Sequence, residues 1–253
     1  MFGDATNVGD RLVNATQSAF AGIGDGWGLA EGNTALTVGC AVVSGRDARK
    51  EDRDFINQMF LMGGGGPASP RADGWINLLI PVGAGLLYRD SVELDEQNYP
   101  LLVKSLRLLP DSGGAGRYRG APGTEVVYGP RNHPLRVVTA PDGWRTPPRG
   151  VRGGTRSEDH LIDAAGRETK VEGFVNLEVA VGEFVRGRVC GGGGYGDPLE
   201  RDVERVRHDV AENRVSRAQA EAVYGVVFRG EGRTLAVDQA ATASRRAERA
   251  AAR

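Results

Sequence analysis

Glycine sets the strongest constraint on what this chain can fold into. It supplies 38 of the 253 residues, roughly twice the ~7 % of an average protein. The glycines gather in short runs at 63–66, 113–120 and 191–196, and there is no tandem repeat. A residue without a Cβ permits tight turns and lets two stretches of backbone come closer than side chains allow. The chain is therefore expected to bring several extended segments into close contact.

Between the glycine runs the apolar residues are periodic. Residues 4–23 carry Val8, Leu12, Val13, Ala15, Thr16, Ala19 and Phe20 near i, i+3, i+4, i+7 spacing, which predicts a helix. Gly22, Gly24, Gly26 and Gly28 end it and hold a loop around Trp27. A strand is expected over 34–44, followed by an exposed charged stretch at 45–54. From about Asn77 to Cys190 short apolar or alternating runs at 102–109, 124–129, 135–139 and 171–190 are bounded by Gly, Pro, Asp and Asn. Val175, Leu177, Val179 and Val181 alternate with Asn176, Glu178 and Ala180, the period of a strand with one buried face. At Gly191 the pattern changes. Asp197, Pro198 and Glu200 form a helix-start signal, and Val203, Val206 and Val210 a helical stripe. After a turn at 213–215, Ser216 and Gln219 repeat that signal, Ala220, Val223 and Tyr224 follow, and Gly225 is expected to end the helix. The reading is α+β: an N-terminal helix with loops, a mostly antiparallel β core over 1–190, a glycine turn and helical hairpin over 191–238, and a helical tail at 239–253 with little to bury.

Composition excludes several classes. With 32 basic and 33 acidic residues the net charge is −1, so no overall field attracts nucleic acid or anionic lipid. Cys40 and Cys190 are too few for a disulfide framework. No apolar run approaches the ~18–20 residues of a membrane span, and residues 1–12 lack a signal-peptide pattern. A cytoplasmic chain is expected.

Three familiar motifs fail on their surroundings. Gly191, Gly193 and Gly196 spell G-x-G-x-x-G, but a helix–turn–helix pattern follows where dinucleotide binding requires a second strand with a ribose-binding acid. Asp111-Ser112-Gly113-Gly114 resembles a protease nucleophile loop, yet all three histidines (His133, His160, His208) come after Ser112, the wrong order. None of Lys50, Lys104 and Lys170 follows a phosphate loop. His160 beside Glu158 and Asp159 reads as a solvated loop, not a metal site.

Two constellations remain. Asp90, Glu93, Asp95 and Glu96 crowd four carboxylates into seven residues, which can raise a pKa into the range of an acid–base catalyst. They equally suit a charged loop edge. Glu93, Glu96 and Asp111 are the candidate catalytic carboxylates. Arg117 and Arg119 are the candidate substrate contacts, since alternate residues of an extended segment point to one side and can fork around an anion. Pairing with the acidic stretch is the competing role.

Three blocks carry a family resemblance: GGGGYGDPLERDVERVRHDVAENR (191–214) with the later VYGVVF (223–228), PDSGGAGRYRG (110–120) preceded by VELDEQNYP (92–100), and DGWINLLIP (73–81). Their order and spacing resemble the C-terminal half of hydantoinase B / 5-oxoprolinase chains, which are about twice this length. The resemblance implies a subunit or split half of an ATP-dependent enzyme that opens cyclic amides, or of a related ketone carboxylase. This half would supply cavity walls and subunit contacts. ATP binding is implied for a hydantoinase A-type partner, and metal ligands for a separate N-terminal half, so neither cofactor is expected on this chain. A non-catalytic assembly module is the other reading. In the first case Val8, Leu12 and Phe20 would need a partner surface.

Overall fold

A computed structural model describes residues 8–32, 36–78, 89–141 and 143–252. The parts of the expected elements at 4–7, 34–35, 79–81 and 253 lie outside these residues. The fold is α+β, and its β part is two antiparallel sheets laid face to face. One sheet has the order β2-β1-β5-β8, with β1 Val42–Asp47, β2 Arg53–Gln58, β5 Leu135–Thr139 and β8 Val175–Val179. The other has the order β3-β4-β9-β6-β7, with β3 Leu101–Leu108, β4 Thr124–Pro130, β6 Glu158–Ile162, β7 Glu168–Val171 and β9 Phe184–Arg188.

Alternation drives the sandwich. Leu135 and Val137 of β5, Val175 and Val179 of β8 and Val43 of β1 meet Leu101, Val126, Tyr128 and Val185 of the facing sheet in one buried cluster. Each fully buried aliphatic side chain of this kind stabilises by ~1.5–3 kcal/mol. The Tyr128 hydroxyl is satisfied by the Val38 carbonyl at 2.8 Å.

Three expectations shift. The strand expected at 34–44 begins at Val42 instead, because Thr37–Cys40 closes a buried turn (Cys40 N–H to Thr37 O, 2.8 Å). The charged 45–54 stretch becomes a hairpin: Asp47 accepts the Arg49 N–H at 3.0 Å, and Glu51 and Asp52 turn the chain with φ of 57° and 55°. The alternation over 171–181 crosses two turns. Val171 ends β7, Gly173 (φ 76°) reverses the chain, and Val181 is exposed beside Gly182 (φ 94°).

The carboxylate stretch, legible as a loop edge, contains helix α2 (Val92–Asn98), capped by the Ser91 hydroxyl on the Leu94 N–H. Helix α1 (Asp10–Ala21) precedes the sandwich. The helical hairpin is present as α3 (Val203–Ala211) and α4 (Arg217–Val223). Ser216 caps α4 through the Gln219 N–H at 3.1 Å, and Gly225 (φ 66°) follows its end. Asp197 caps only a short 3₁₀ turn (Pro198–Glu200), and Asp202 is the true N-cap of α3 through the Arg205 N–H at 2.9 Å. The hairpin has its own core of Ala115, Val206, Val215, Ala220, Val223, Tyr224, Val226 and Phe228. A two-residue ribbon, β10 (Phe228–Arg229) with β11 (Ala236–Val237), leads to α5 (Gln239–Ala251). With little apolar surface to bury, α5 is held by polar contacts. Arg246 donates to the carbonyls of Tyr224 (3.0 Å) and Arg201 (2.8 Å), and Arg249 to that of Ala222. No described helix is long and apolar enough to cross a membrane.

Candidate functional site

The glycine runs converge. Extended segments around 64–68, 112–121, 148–155 and 190–196 lie side by side and bond backbone to backbone. Gly114 N–H donates to Gly192 O (2.8 Å), Gly192 N–H to Ala121 O (3.0 Å), Ala121 N–H to Gly66 O (3.0 Å) and Gly65 N–H to Cys190 O (3.0 Å). Gly194 and Val151 continue the lattice through Arg152 O and Gly194 O, both at 3.0 Å. A Cβ on Gly120 would lie 1.9 Å from Gly192 O, and one on Gly192 would lie 1.9 Å from Gly66 O. These glycines are required by proximity, whereas Gly196 turns the chain with φ 71°. Gly191 and Gly193 have the spacing of a phosphate loop, but they pack against carbonyls. A Cβ on Gly191 would lie 2.1 Å from Ser112 O, and one on Gly193 would lie 2.1 Å from Arg149 O. Carbonyl oxygens repel phosphate.

Above this junction sits a buried ionic network. Arg201, 1 % exposed, donates through Nη1 to Asp73 Oδ1 (2.6 Å) and through Nη2 to Asp73 Oδ2 (2.8 Å) and Asp209 Oδ2 (2.7 Å). Arg119 Nε donates to Asp209 Oδ1 at 2.9 Å, and its backbone N–H to Asp73 Oδ1 at 2.9 Å. Burial acts to raise the Asp73 pKa, but the Arg201 hydrogen bonds and the two cations outweigh it and hold the carboxyl below its ordinary value. Burial likewise opposes the charge on Arg201, and Asp73 and Asp209 reverse that and raise its pKa. The three sequence blocks meet here, since Asp73 belongs to one, Arg119 to the second, and Arg201 and Asp209 to the third.

Beside the junction a cleft of about 460 Å³ opens between α1 and residues 194–196, lined by Ser18, Ala21, Asp25, Leu29, Arg149 and Val151 among others. Tyr195 builds one wall: its hydroxyl accepts the Gly26 N–H (3.1 Å) and donates to the Trp27 carbonyl (2.9 Å). Arg149 is the exposed cation of the cleft. Glu31, 4 % exposed as a side chain, accepts its backbone N–H (2.8 Å), Nε (2.9 Å) and Nη2 (2.5 Å). Burial pushes the Glu31 pKa up, and the Arg149 hydrogen bonds and charge more than reverse it, so the carboxylate stays ionised. Arg149 Nη1 has no partner among the described residues and is available to a carbonyl or carboxylate oxygen.

The candidates drawn from the sequence are dispersed. Arg117 reaches Asp25 at the cleft edge (2.8 Å) and Glu200 (3.2 Å), while Arg119 is buried on Asp209, so the two guanidiniums have separate partners and neither pairs with the acidic stretch. Asp111, at φ 59°, accepts the Ser216 N–H at 2.7 Å and fastens the helical hairpin to the sandwich. Glu93 lies on the exposed side of α2 and accepts the Ser91 hydroxyl (2.7 Å), a bond that lowers its pKa. Glu96 accepts the Val103 N–H (2.7 Å). Asp90 accepts the Phe60 N–H (2.7 Å). Asp95 is buried, and burial, then the Asp90 charge, pushes its pKa up to about 6. None of these carboxylates lines the cleft. Sequence reasoning passed over Asp25, Glu31, Arg149 and Tyr195. Only Tyr195 carried a signal, its place inside the last glycine run.

The fold and site together define an α+β chain whose β-sandwich is joined through a glycine junction to a helical hairpin. The family profile described as hydantoinase B/oxoprolinase matches residues 1–198, and the chain belongs to that family. It is 33 % identical over 217 residues to the caprolactamase subunit beta of Pseudomonas jessenii, covering 81 % of this chain and 36 % of that protein. The crystal structure of the ATP-dependent caprolactamase from the same organism superposes with a TM-score of 0.72 at 31 % identity, over 87 % of this chain and 38 % of that one. The acetophenone carboxylase delta subunit of Aromatoleum aromaticum is 27 % identical over 183 residues, 59 % of this chain and 27 % of that protein. The chain thus spans little more than a third of the length of its caprolactamase relative.

Proposed function

We propose that this chain is a hydantoinase B-type part of an ATP-dependent complex that opens cyclic amides, and that the cleft beside the glycine junction forms one wall of its substrate cavity. The likeness to a caprolactamase subunit, in sequence and fold over more than four fifths of the chain, carries this reading. The cleft suits it chemically. Ala21, Leu29 and Val151 offer apolar contact to a small ring, and Arg149, held by Glu31, offers one N–H to a ring carbonyl or to the carboxylate released on opening. Tyr195 fixes the loop at 24–27 through the Trp27 carbonyl and the Gly26 N–H.

In such chemistry ATP phosphorylates the amide oxygen and makes the ring carbon open to water. Among the described residues no three His, Cys, Asp or Glu side chains come together as a metal site, and no phosphate loop is present. We assign ATP and any divalent metal to partners, a hydantoinase A-type subunit and a further hydantoinase B-type portion, on the likeness to a subunit of an ATP-dependent caprolactamase. A cytoplasmic location follows from the need for ATP. The second reading, a subunit of a ketone carboxylase, is favoured by the likeness to the acetophenone carboxylase subunit.

Affinity purification of the tagged chain from its host, with partners identified, tests both. The purified assembly is assayed for ATP-dependent opening of caprolactam, hydantoin and 5-oxoproline and for bicarbonate-dependent use of acetone and acetophenone. Arg149→Gln is expected to raise the KM for the active substrate about tenfold, the loss of one charge-assisted hydrogen bond. A homo-oligomer without an ATP-binding partner, or an assembly inert on every amide and ketone, overturns the proposal and leaves an assembly module.

A further inference from the structure

Helix α1 is inside out. Its buried residues are polar: Asp10 is 1 % and Asn14 8 % exposed, and Asn14 accepts the Gly32 N–H at 2.8 Å. Its apolar residues face away from the chain, with Leu12 at 64 %, Val13 at 43 % and Phe20 at 47 % exposure. Ile23 (63 %) and Trp27 (56 %) extend the surface, and Val151 (61 %) sits across the cleft from it. From Leu12 to Gly24 there is no charged residue. Contiguous exposed apolar surface depleted of charge is the composition of an interface core. Ser18 and Ala21 of the same helix line the cleft, so whatever covers this surface borders the cleft as well.

We infer that the outer face of α1, with Ile23 and Trp27, docks the portion of a hydantoinase B-type chain that lies beyond the region matched here, and that this portion roofs the cleft. The argument for that occupant is length. The caprolactamase relative matches over 38 % of its own chain, and the polypeptide outside that share has to pack against the matched fold somewhere. Among the described residues α1 offers an uncharged apolar face alongside the cleft. Only the roofing of a substrate cavity rests on the function proposed above; the docking rests on α1 itself.

The test is photo-cross-linking in the native host, with p-benzoylphenylalanine placed at Phe20 and, as a control, at the still more exposed Ile56 of β2. Adducts from position 20 are expected on hydantoinase B-type peptides outside the region homologous to this chain, with none from position 56. Phe20→Asp should lower recovery of that partner at least tenfold while leaving the thermal transition of the isolated chain unchanged. Adducts only on peptides of this chain would assign the face to a second copy and overturn the inference, as would adducts on an unrelated protein, no adducts, or full recovery with Phe20→Asp. Adducts as expected in a complex inert on every amide and ketone would instead overturn the function and leave the docking standing.

Discussion

The sandwich and the glycine junction hold together by opposite means. In the sandwich, side chains fill the space between two sheets, and stability scales with the apolar surface that Leu135, Val137, Val126 and their neighbours remove from water. In the junction side chains are excluded, and carbonyls of one segment occupy the volume a Cβ would take on another. The first region tolerates a smaller residue at a cost. The second tolerates no larger one.

Substitutions that add or remove a few atoms break this comparison open. The largest effect is expected from Gly192→Ala, whose methyl would lie 1.9 Å from the Gly66 carbonyl. Backbone bounds the site, so the loss should exceed about 4 kcal/mol, and calorimetry should show no native transition. Next comes Arg201→Met in the network above the junction. It leaves Asp73 and Asp209 without their shared cation, and chemical denaturation should show a loss of about 3–5 kcal/mol. Adding Asp73→Asn, which removes one of the two anions and leaves the Arg119–Asp209 pair intact, should recover part of it; a double variant no better than the single would mean that packing, not charge, is at stake. Leu135→Ala in the sandwich should cost about 3 kcal/mol and keep a cooperative transition, in contrast to Gly192→Ala.

The smallest effect belongs to pH. Asp159 of β6 is buried with one oxygen on the Val38 N–H at 3.2 Å, and burial, opposed by that bond, pushes its pKa up to about 7. A carboxyl raised on folding stabilises the protonated fold fully below its unfolded pKa of ~3.9, and this contribution is lost as pH rises through about 7. Asp159→Asn should therefore gain about 1 kcal/mol on the parent between pH 6 and pH 8. An unchanged difference across that interval would mean that Asp159 is ionised throughout.

The same contrast explains what could be read in advance. Strands β5 and β8 and the helices of the hairpin follow from periodicity, because each buries one face against a neighbour and the pattern records that face. Helix α2 escaped because its short run mixes Val92 and Leu94 with three carboxylates, and only the Ser91 cap marks it. The α1 pattern indicated a helix but not which side meets the chain. The candidate site was less legible. Glu31 and Arg149 are 118 positions apart, and nothing local in either segment announces the pair.

By itself the amino-acid sequence determined the α+β order, the family and the presence of close-packed glycine, since each is written in local periodicity or in contiguous blocks. Only the tertiary structure decided that those blocks share one ionic network, that Arg117 and Arg119 part company, and that α1 turns its apolar face outward. Such facts depend on which distant segments come within a few ångströms of one another, and hydrogen bonds and ion pairs act at that range alone.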